Sequence, residues 1–148
     1  MRYSKKAIEL IKKTRKMLYK RETLWNERQY IGYSHLICAI DSTRELTNIS
    51  KKDAIKLLEK DLYRISLKLE AHLEKDVNQN QFDALVSLIY DIGFRSFVSS
   101  GILDLLNKQQ YATVGLLFPR YARYKKKVVY RLAKARKEES KLFKESLK

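Results

Sequence analysis

The chain of 148 residues has few of the residues that interrupt or cross-link a polypeptide: four glycines, one proline and one cysteine. So little Gly and Pro disfavours an all-β fold rich in turns and favours helices. The lone Cys38 excludes a disulfide framework and a cysteine-based metal site, and we expect it to be a half-buried hydrophobic side chain. Only two histidines are present, far apart in sequence, so neither a metal centre nor a cofactor is predicted.

Long apolar runs are also missing. No stretch approaches the roughly 20 apolar residues that a membrane span needs. The segment Met1–Lys6 lacks the apolar run of a signal peptide, so we expect synthesis and retention inside a cell unless another system releases the protein. Hydrophobic residues make up 45% of the chain and charged residues 33%, a globular rather than a disordered balance. We expect one domain over residues 1–148, as a monomer.

Acidic residues are scarce, with 17 Asp and Glu against 32 Lys and Arg, and the net charge is +15. Such a charge attracts nucleic acid, anionic lipid or anionic cell-wall polymer. Cations are densest from Arg120 to Lys148, where Tyr121, Tyr124 and Tyr130 are interleaved with them. Cations and aromatic rings together bind nucleic acid through phosphates and stacking. No nucleic-acid motif is present, however, and a solvated helix face with buried tyrosine rings explains the same pattern.

Hydrophobic periodicity predicts the first half of the fold. Ser4 can cap a first helix that runs to about Lys16. The segment 19–36 is rich in Tyr, Trp, Thr and Ile, which predicts a β-hairpin that turns at Trp25–Glu27. Residues 36–48 are a polar connection. Ser50 resembles the start of a capping box, and the apolar stripe behind it predicts a long helix to about Lys75.

The second half is predicted to be helical throughout. Gln79–Ile92 is apolar on nearly every face and is followed by Gly93, which indicates a buried central helix. Short helices are expected over Ser99–Leu106 and Lys108–Leu117, with a further turn opened by Pro119. A last helix is expected from about Val128 to Leu147.

Two segments resemble one enzyme family. Asn78–Ser87 reads NQNQFDALVS, and Gly32–Leu36 reads GYSHL. Both resemble the phage-type lysozymes, the family-24 glycoside hydrolases, which carry QNQFDALVSF and GYGH at these places. Weaker similarities follow in the same order over nearly the whole chain, at Leu10–Lys13, Ala54–Leu62, Phe97–Ser100 and Leu142–Phe143. The resemblance implies an α+β, mainly helical lysozyme fold, with a small hairpin lobe over about 17–48 and a helical lobe over about 76–148 plus the first helix.

Members of this family cleave peptidoglycan with a Glu, an Asp and a Thr. The register between Leu10 and His35 needs no gap, and it places those three residues at Arg15, Leu24 and Tyr30. Glycoside hydrolysis usually needs two carboxyl groups, one of them a proton donor. Arginine keeps its proton at physiological pH, and leucine neither accepts a proton nor orients water. The resemblance therefore implies a member whose three catalytic positions are all replaced.

Two nearby carboxylates are the candidates for a relocated mechanism. Glu22 precedes position 24 by two residues and shares its face of a strand, displaced by about 6–7 Å. Glu27 lies on the expected turn. Neither restores an acid near Arg15, and solvated hairpin charge explains both equally well.

Other departures replace small residues beside the expected cleft by larger or charged ones. Lys16 and Ser34 stand where the family has glycines, Tyr124–Lys127 stands where it has AGGK, and Arg131 precedes the last helix where a Gly is common. Long cations there should narrow the groove and make it positive. The predicted groove residues are Lys16, Tyr33, Ser34, His35, Ser100, Tyr121, Lys125, Lys126 and Arg131.

Three functions remain open from the sequence. The first is a catalytically inactive lysozyme-like protein that binds cell-wall glycan or another macromolecule through a basic groove. The second is an active muramidase that uses Glu22 and Glu27, and the third is a nucleic-acid-binding adaptation of the scaffold. Fold alone does not choose among them.

Overall fold

A computed structural model describes residues 1–40 and 43–145. Within them the α-helices are α1 (Lys5–Thr14), α2 (Lys51–His72), α3 (Gln79–Ile92), α4 (Phe94–Ser99), α5 (Ile102–Asn107), α6 (Tyr111–Leu117) and α7 (Tyr130–Lys144). The strands are β1 (Leu18–Thr23), β2 (Gln29–Gly32), β3 (His35–Leu36), β4 (Arg123–Tyr124) and β5 (Lys127–Val128). A 3₁₀ turn, Phe118–Tyr121, connects α6 to β4. The predicted mainly helical α+β class is confirmed.

The first helix begins and ends where local hydrogen bonding requires. The Ser4 hydroxyl accepts a hydrogen bond from the Lys6 N–H and so caps α1. Ala7 and Ile11 are fully buried on one stripe of the helix. The helix stops at Thr14, two residues before the predicted end, because Arg15 takes an extended conformation.

The predicted hairpin is present and carries a third strand. β1 pairs antiparallel with β2, with Leu18 opposite Gly32 and Thr23 opposite Gln29, and β2 pairs with β3. This sheet packs on α2. Gly32 has a φ of +66°, and a Cβ there would lie 3.2 Å from the Cβ of Ala54. The glycine therefore allows the sheet to lie close against α2.

The two long helices form the framework of the core. The Ser50 hydroxyl accepts a hydrogen bond from the Asp53 N–H, as the sequence predicts, although α2 ends at His72 rather than Lys75. α3 has the predicted bounds and is buried along most of its length. It packs against α1, α2 and α7. The prediction of a buried central helix is confirmed.

Several details of the helical half were predicted wrongly. The helix expected over Ser99–Leu106 begins only at Ile102, because Gly101 before it has a φ of +84°, and α4 was not predicted. The helix expected from Lys108 begins at Tyr111. The hairpin of β4 and β5 was not predicted, since Lys125 and Lys126 take its left-handed turn in place of the usual Gly or Asn. α7 begins at Tyr130 rather than at about Val128, and its predicted end at Leu147 lies outside the described residues.

No helix of the described ranges is long and apolar enough to cross a membrane.

Candidate functional site

The side chain of Arg15 turns inward and is fully buried. It leaves the end of α1, and its Nη1 donates to the Thr14 and Ser87 hydroxyls at 2.7 and 3.0 Å. Its Nη2 donates to the Ser87 carbonyl at 2.9 Å and to Asp91 Oδ2 at 2.8 Å. The charge of Arg15 is therefore buried and paired inside the helical core.

Five buried or partly buried side chains form the buried ion network: Arg15, Asp91, Arg131, Arg136 and Glu139. Arg136 donates to Asp91 at 2.6 Å and to both oxygens of Glu139 at 2.6 and 2.9 Å. Arg131 contributes a longer contact of 3.4 Å to the other oxygen of Asp91. The Ser87 hydroxyl on α3 donates a hydrogen bond to Glu139 on α7 and so connects these two helices within the network. Three guanidinium groups thus share two carboxylates.

The network fixes the protonation state of Asp91. Burial by itself raises the pKa of this carboxyl group, but the adjacent Arg15, Arg136 and Arg131 outweigh it and hold the pKa well below its ordinary value. Asp91 is consequently ionised throughout the physiological range. It accepts hydrogen bonds there but has no proton to donate.

Leu24 and Tyr30 lie in the hairpin. Leu24 is half-buried, and its backbone closes the turn through hydrogen bonds with Arg28 and Glu27. Tyr30 is buried on β2, where its hydroxyl accepts from the Asn26 amide at 2.7 Å.

The hairpin reaches the helical core through what we call the Trp25 stack. The ring of Trp25 stacks on Tyr30, with centroids 5.8 Å apart, and the guanidinium of Arg131 lies 4.6 Å from the Trp25 ring. Arg131 therefore contacts both the hairpin and Asp91. Arg15 and Tyr30 both connect to Arg131, the first through Asp91 and the second through Trp25.

The other predicted groove residues separate into several places. Lys16, Tyr33 and Arg131 line one cavity together with Arg15. Ser34 and His35 line a second cavity beside Tyr90 and Asp61. Tyr121 lines a third, which also contains Trp25. The remaining three lie apart from these cavities: Lys125 and Lys126 form the exposed β4–β5 turn, and the Ser100 hydroxyl bonds locally to Phe97 and Ile102.

His35 holds the sheet to the long helix. Its Nδ1 lies 2.5 Å from Asp61 Oδ2 on α2, and its Nε2 lies 3.3 Å from the Thr43 hydroxyl. Within residues 1–40 and 43–145, no three His, Cys, Asp or Glu side chains are grouped so that they would hold a metal ion.

The two fallback carboxylates face solvent. Glu22 on β1 and Glu27 in the turn are both exposed. The two acids of the buried network were missed by the sequence analysis. A signal for Asp91 was present, because it is the single acid in the apolar second half of Gln79–Ile92 and an acid there needs a buried cation.

The third cavity combines aromatic rings with cations. Its volume is about 520 Å³, within the usual range of ligand pockets. Three aromatic residues and three exposed arginines contribute to its lining: Trp25, Tyr121, Tyr124, Arg28, Arg120 and Arg123. Aromatic faces pack against apolar faces of ligands, and arginines attract anionic groups.

Tyr130 lies outside this cavity and is 84% exposed, so the interpretation that all three C-terminal tyrosines have buried rings is wrong.

Comparison with known sequences agrees with this architecture. The family model for phage lysozyme matches residues 14–139. Among curated proteins, the endolysins of Bacillus phages PZA and B103 are 34% and 33% identical, over 97% of this chain in both cases. The chain spans about half the length of these two relatives, 55% and 54% respectively.

Solved structures give the same result. The muramidase domain of SpmX from Asticaccaulis excentricus is 29% identical with a TM-score of 0.81, over 96% of this chain and 97% of that one. An endolysin from Escherichia coli O157:H7 phage FAHEc1 has the same TM-score at 20% identity, over 97% and 93% of the two chains, and so shares the fold. With a family match over most of its length and this fold, the chain belongs to the phage lysozyme family.

Proposed function

We propose that this chain is a lysozyme-fold protein that binds cell-wall glycan without hydrolysing it. The observation that supports the proposal most directly is Arg15, which stands where the family resemblance places the catalytic Glu and is tied into the buried ion network. A general acid must carry a proton that it can release near the operating pH. Arginine does not do so.

The neighbouring residues do not supply a replacement acid. Asp91 is the carboxylate closest to Arg15, and the lowered pKa keeps it ionised. Glu22 and Glu27 are solvent-exposed on the hairpin, outside the buried ion network that surrounds Arg15. Leu24 and Tyr30 offer no carboxylate to position water. An active muramidase based on the two hairpin acids is therefore the less favoured function.

Binding has more support than catalysis. The 520 Å³ cavity presents the aromatic rings and arginines that suit a glycan bearing acidic groups. The net charge of +15 adds long-range attraction to an anionic wall. Because this attraction is screened by salt, wall binding should weaken steeply as ionic strength rises.

The test of inactivity is the release of reducing ends from purified peptidoglycan at neutral and mildly acidic pH. We expect no release above background, since loss of the acid alone removes about 10²–10⁴ in rate. The Glu22→Gln variant is measured in parallel. Clear release by the wild type that Glu22→Gln abolishes would refute the proposal and identify a relocated carboxylate.

The test of binding is cosedimentation with insoluble peptidoglycan. The double variant Arg120→Gln/Arg123→Gln removes two exposed charges from the cavity, and Lys56→Gln/Lys60→Gln removes two exposed charges from α2. We expect the first to lose most of the bound fraction and the second to resemble the wild type. Equal losses would indicate diffuse attraction. Salt-sensitive binding to single-stranded DNA that exceeds wall binding would favour the nucleic-acid function instead.

A further inference from the structure

The surface cavity lined by Lys16, Tyr33 and Arg131 has a volume of about 580 Å³ and lies where the end of α1 meets the start of α2 and the first turn of α7. No acidic residue lines it. Four of its lysines, Lys12, Lys16, Lys51 and Lys134, have no carboxylate within 4.0 Å among the described residues, whereas a fifth, Lys13, is paired with Glu138 at 3.1 Å. The cavity thus concentrates positive charge, and these four lysines have no balancing carboxylate in the part of the chain that the structure describes.

Arg131 connects this cavity to the buried ion network, in which three guanidinium groups face two carboxylates. The network therefore carries one uncompensated positive charge. Arg131 is its least satisfied member, because its contact with Asp91 is 3.4 Å and its buried Nε and Nη1 have no hydrogen-bond partner among the described residues. Burial lowers its pKa, and Arg15 and Arg136 lower it further against the opposing effect of Asp91. Buried charges are normally paired, so an anion beside Arg131 would remove this imbalance.

The backbone at the same place also favours an anion. α7 is 15 residues long and begins at Tyr130, next to Arg131. Its N-cap residue, Val129, has no side-chain acceptor, and the first turn contains no acidic residue. The free N–H groups and the positive end of the helix dipole attract negative charge.

We propose that this cavity binds a phosphate group, held by Arg131, the first turn of α7 and the lysines around them. Several cationic side chains that line one cavity suit a phosphate group, which carries four oxygens on phosphorus in both the free ion and the diester, whereas a carboxylate carries two. The group can be free phosphate or the phosphodiester of an anionic wall polymer. The assignment goes beyond glycan binding, because it concerns another cavity and another chemical group.

Calorimetric titration at low ionic strength tests the site directly. The wild type is titrated with inorganic phosphate and, separately, with the diester glycerophosphoglycerol. We expect saturable binding at one site. The double variant Lys16→Gln/Lys134→Gln should weaken it by about tenfold or more, which corresponds to about 1.4 kcal/mol. The matched control Lys56→Gln/Lys60→Gln, which removes the same charge from α2, should change it less than about twofold.

A third variant, Arg131→Gln, should remove most of the binding while a circular dichroism melt verifies its folding. The lysine variants keep the test valid if this variant does not fold, since their side chains are at the surface. Binding of the diester as well as free phosphate identifies a polymer-borne group, and binding of free phosphate alone identifies the free ion; both support the site. Absence of saturable binding, or equal weakening by the two double-lysine variants, overturns it. Tighter binding of a dinucleotide than of glycerophosphoglycerol also overturns it, in favour of a nucleic-acid site. None of these titrations uses peptidoglycan, so their failure is distinct from failure of glycan binding.

Discussion

Arg15 stands at the position that the family resemblance assigns to the catalytic acid, and its side chain is buried among charged partners. The ungapped register alone predicts that correspondence. The partners of Arg15 were not predictable, because Asp91 and Arg136 lie on different helices, 45 residues apart, and only the packing of α3 against α7 brings them together. The residue at position 15 can therefore be read from the sequence, whereas the charged groups that surround it are found only in the fold.

The pH dependence of stability should reveal Asp91. Because its folded-state pKa lies below the unfolded-state value of about 3.9, its ionised form contributes stability that is fully present above about pH 4. That contribution is lost as the pH falls toward the folded-state pKa, by at most about 1.4 kcal/mol per pH unit. We therefore expect the stability difference between wild type and Asp91→Asn to be constant from pH 7 to 5 and to shrink below pH 4.

Urea denaturation at each pH measures this difference. Asp104→Asn is the control, since Asp104 forms an exposed ion pair with Lys108 on α5 and should change stability by less than about 1 kcal/mol at any pH. A difference for Asp91→Asn that stays constant down to pH 2 would contradict the assigned pKa direction.

At the scale of elements, α3 was predicted with its correct bounds, whereas the β4–β5 hairpin was not predicted at all. α3 has a capping box between Asn78 and Gln81 at its start and Gly93 at its end, so local chemistry specified both boundaries. The hairpin has lysines at its two left-handed positions, where Gly or Asn is usually found and serves as the sequence signal of a turn. Its position is set by the surrounding structure, and the sequence pattern carries no signal for it.

The close contact between the sheet and α2 gives a prediction for Gly32→Ala. The added methyl group meets Ala54 at 3.2 Å, and the left-handed backbone adds its own strain, so we expect a loss of about 2–3 kcal/mol in the free energy of unfolding. Gly101→Ala carries comparable strain with nothing within 4 Å of the new Cβ, and should cost about 1–2 kcal/mol. Urea denaturation of both variants compares them. A loss for Gly32→Ala no larger than that for Gly101→Ala would show that α2 relaxes freely away from the sheet.

At the scale of the whole molecule, charge is distributed unevenly between surface and interior. The surface carries most of the +15, whereas the buried ion network between α1, α3 and α7 holds three arginines against two acids. The family resemblance and composition predicted the fold and the excess of cations. They did not predict that the charge at position 15 turns inward, because that direction depends on Ser87 and Asp91, which approach Arg15 only in the folded chain.

The charge balance of the buried ion network predicts how the introduction of a glutamate at position 15 will change stability. Arg15→Glu places a third carboxylate beside Asp91 and Glu139, with two arginines left, so the network changes from one excess positive charge to one excess negative charge. Asp91→Asn alone leaves three arginines and one acid. Removal of one partner of a buried ion pair lowers the free energy of unfolding by about 3–5 kcal/mol, and we expect a loss of this size for each single variant. The double variant has two arginines and two acids, so it should be more stable than either single variant.

A double-mutant cycle by urea denaturation measures this coupling, which we expect to be about 2–3 kcal/mol in favour of the double variant. The consequence extends to activity. Arg15→Glu, Leu24→Asp and Tyr30→Thr together should yield a poorly folded protein, whereas the same three changes with Asp91→Asn should fold and permit a fair assay of reducing-end release. The measurement is the melting temperature of each variant, which we expect to be higher for the quadruple variant than for the triple variant. If the two melt alike, or the cycle gives additive losses, Asp91 does not compensate the charge at position 15, and the buried network is not the obstacle to introducing the catalytic residues of the family.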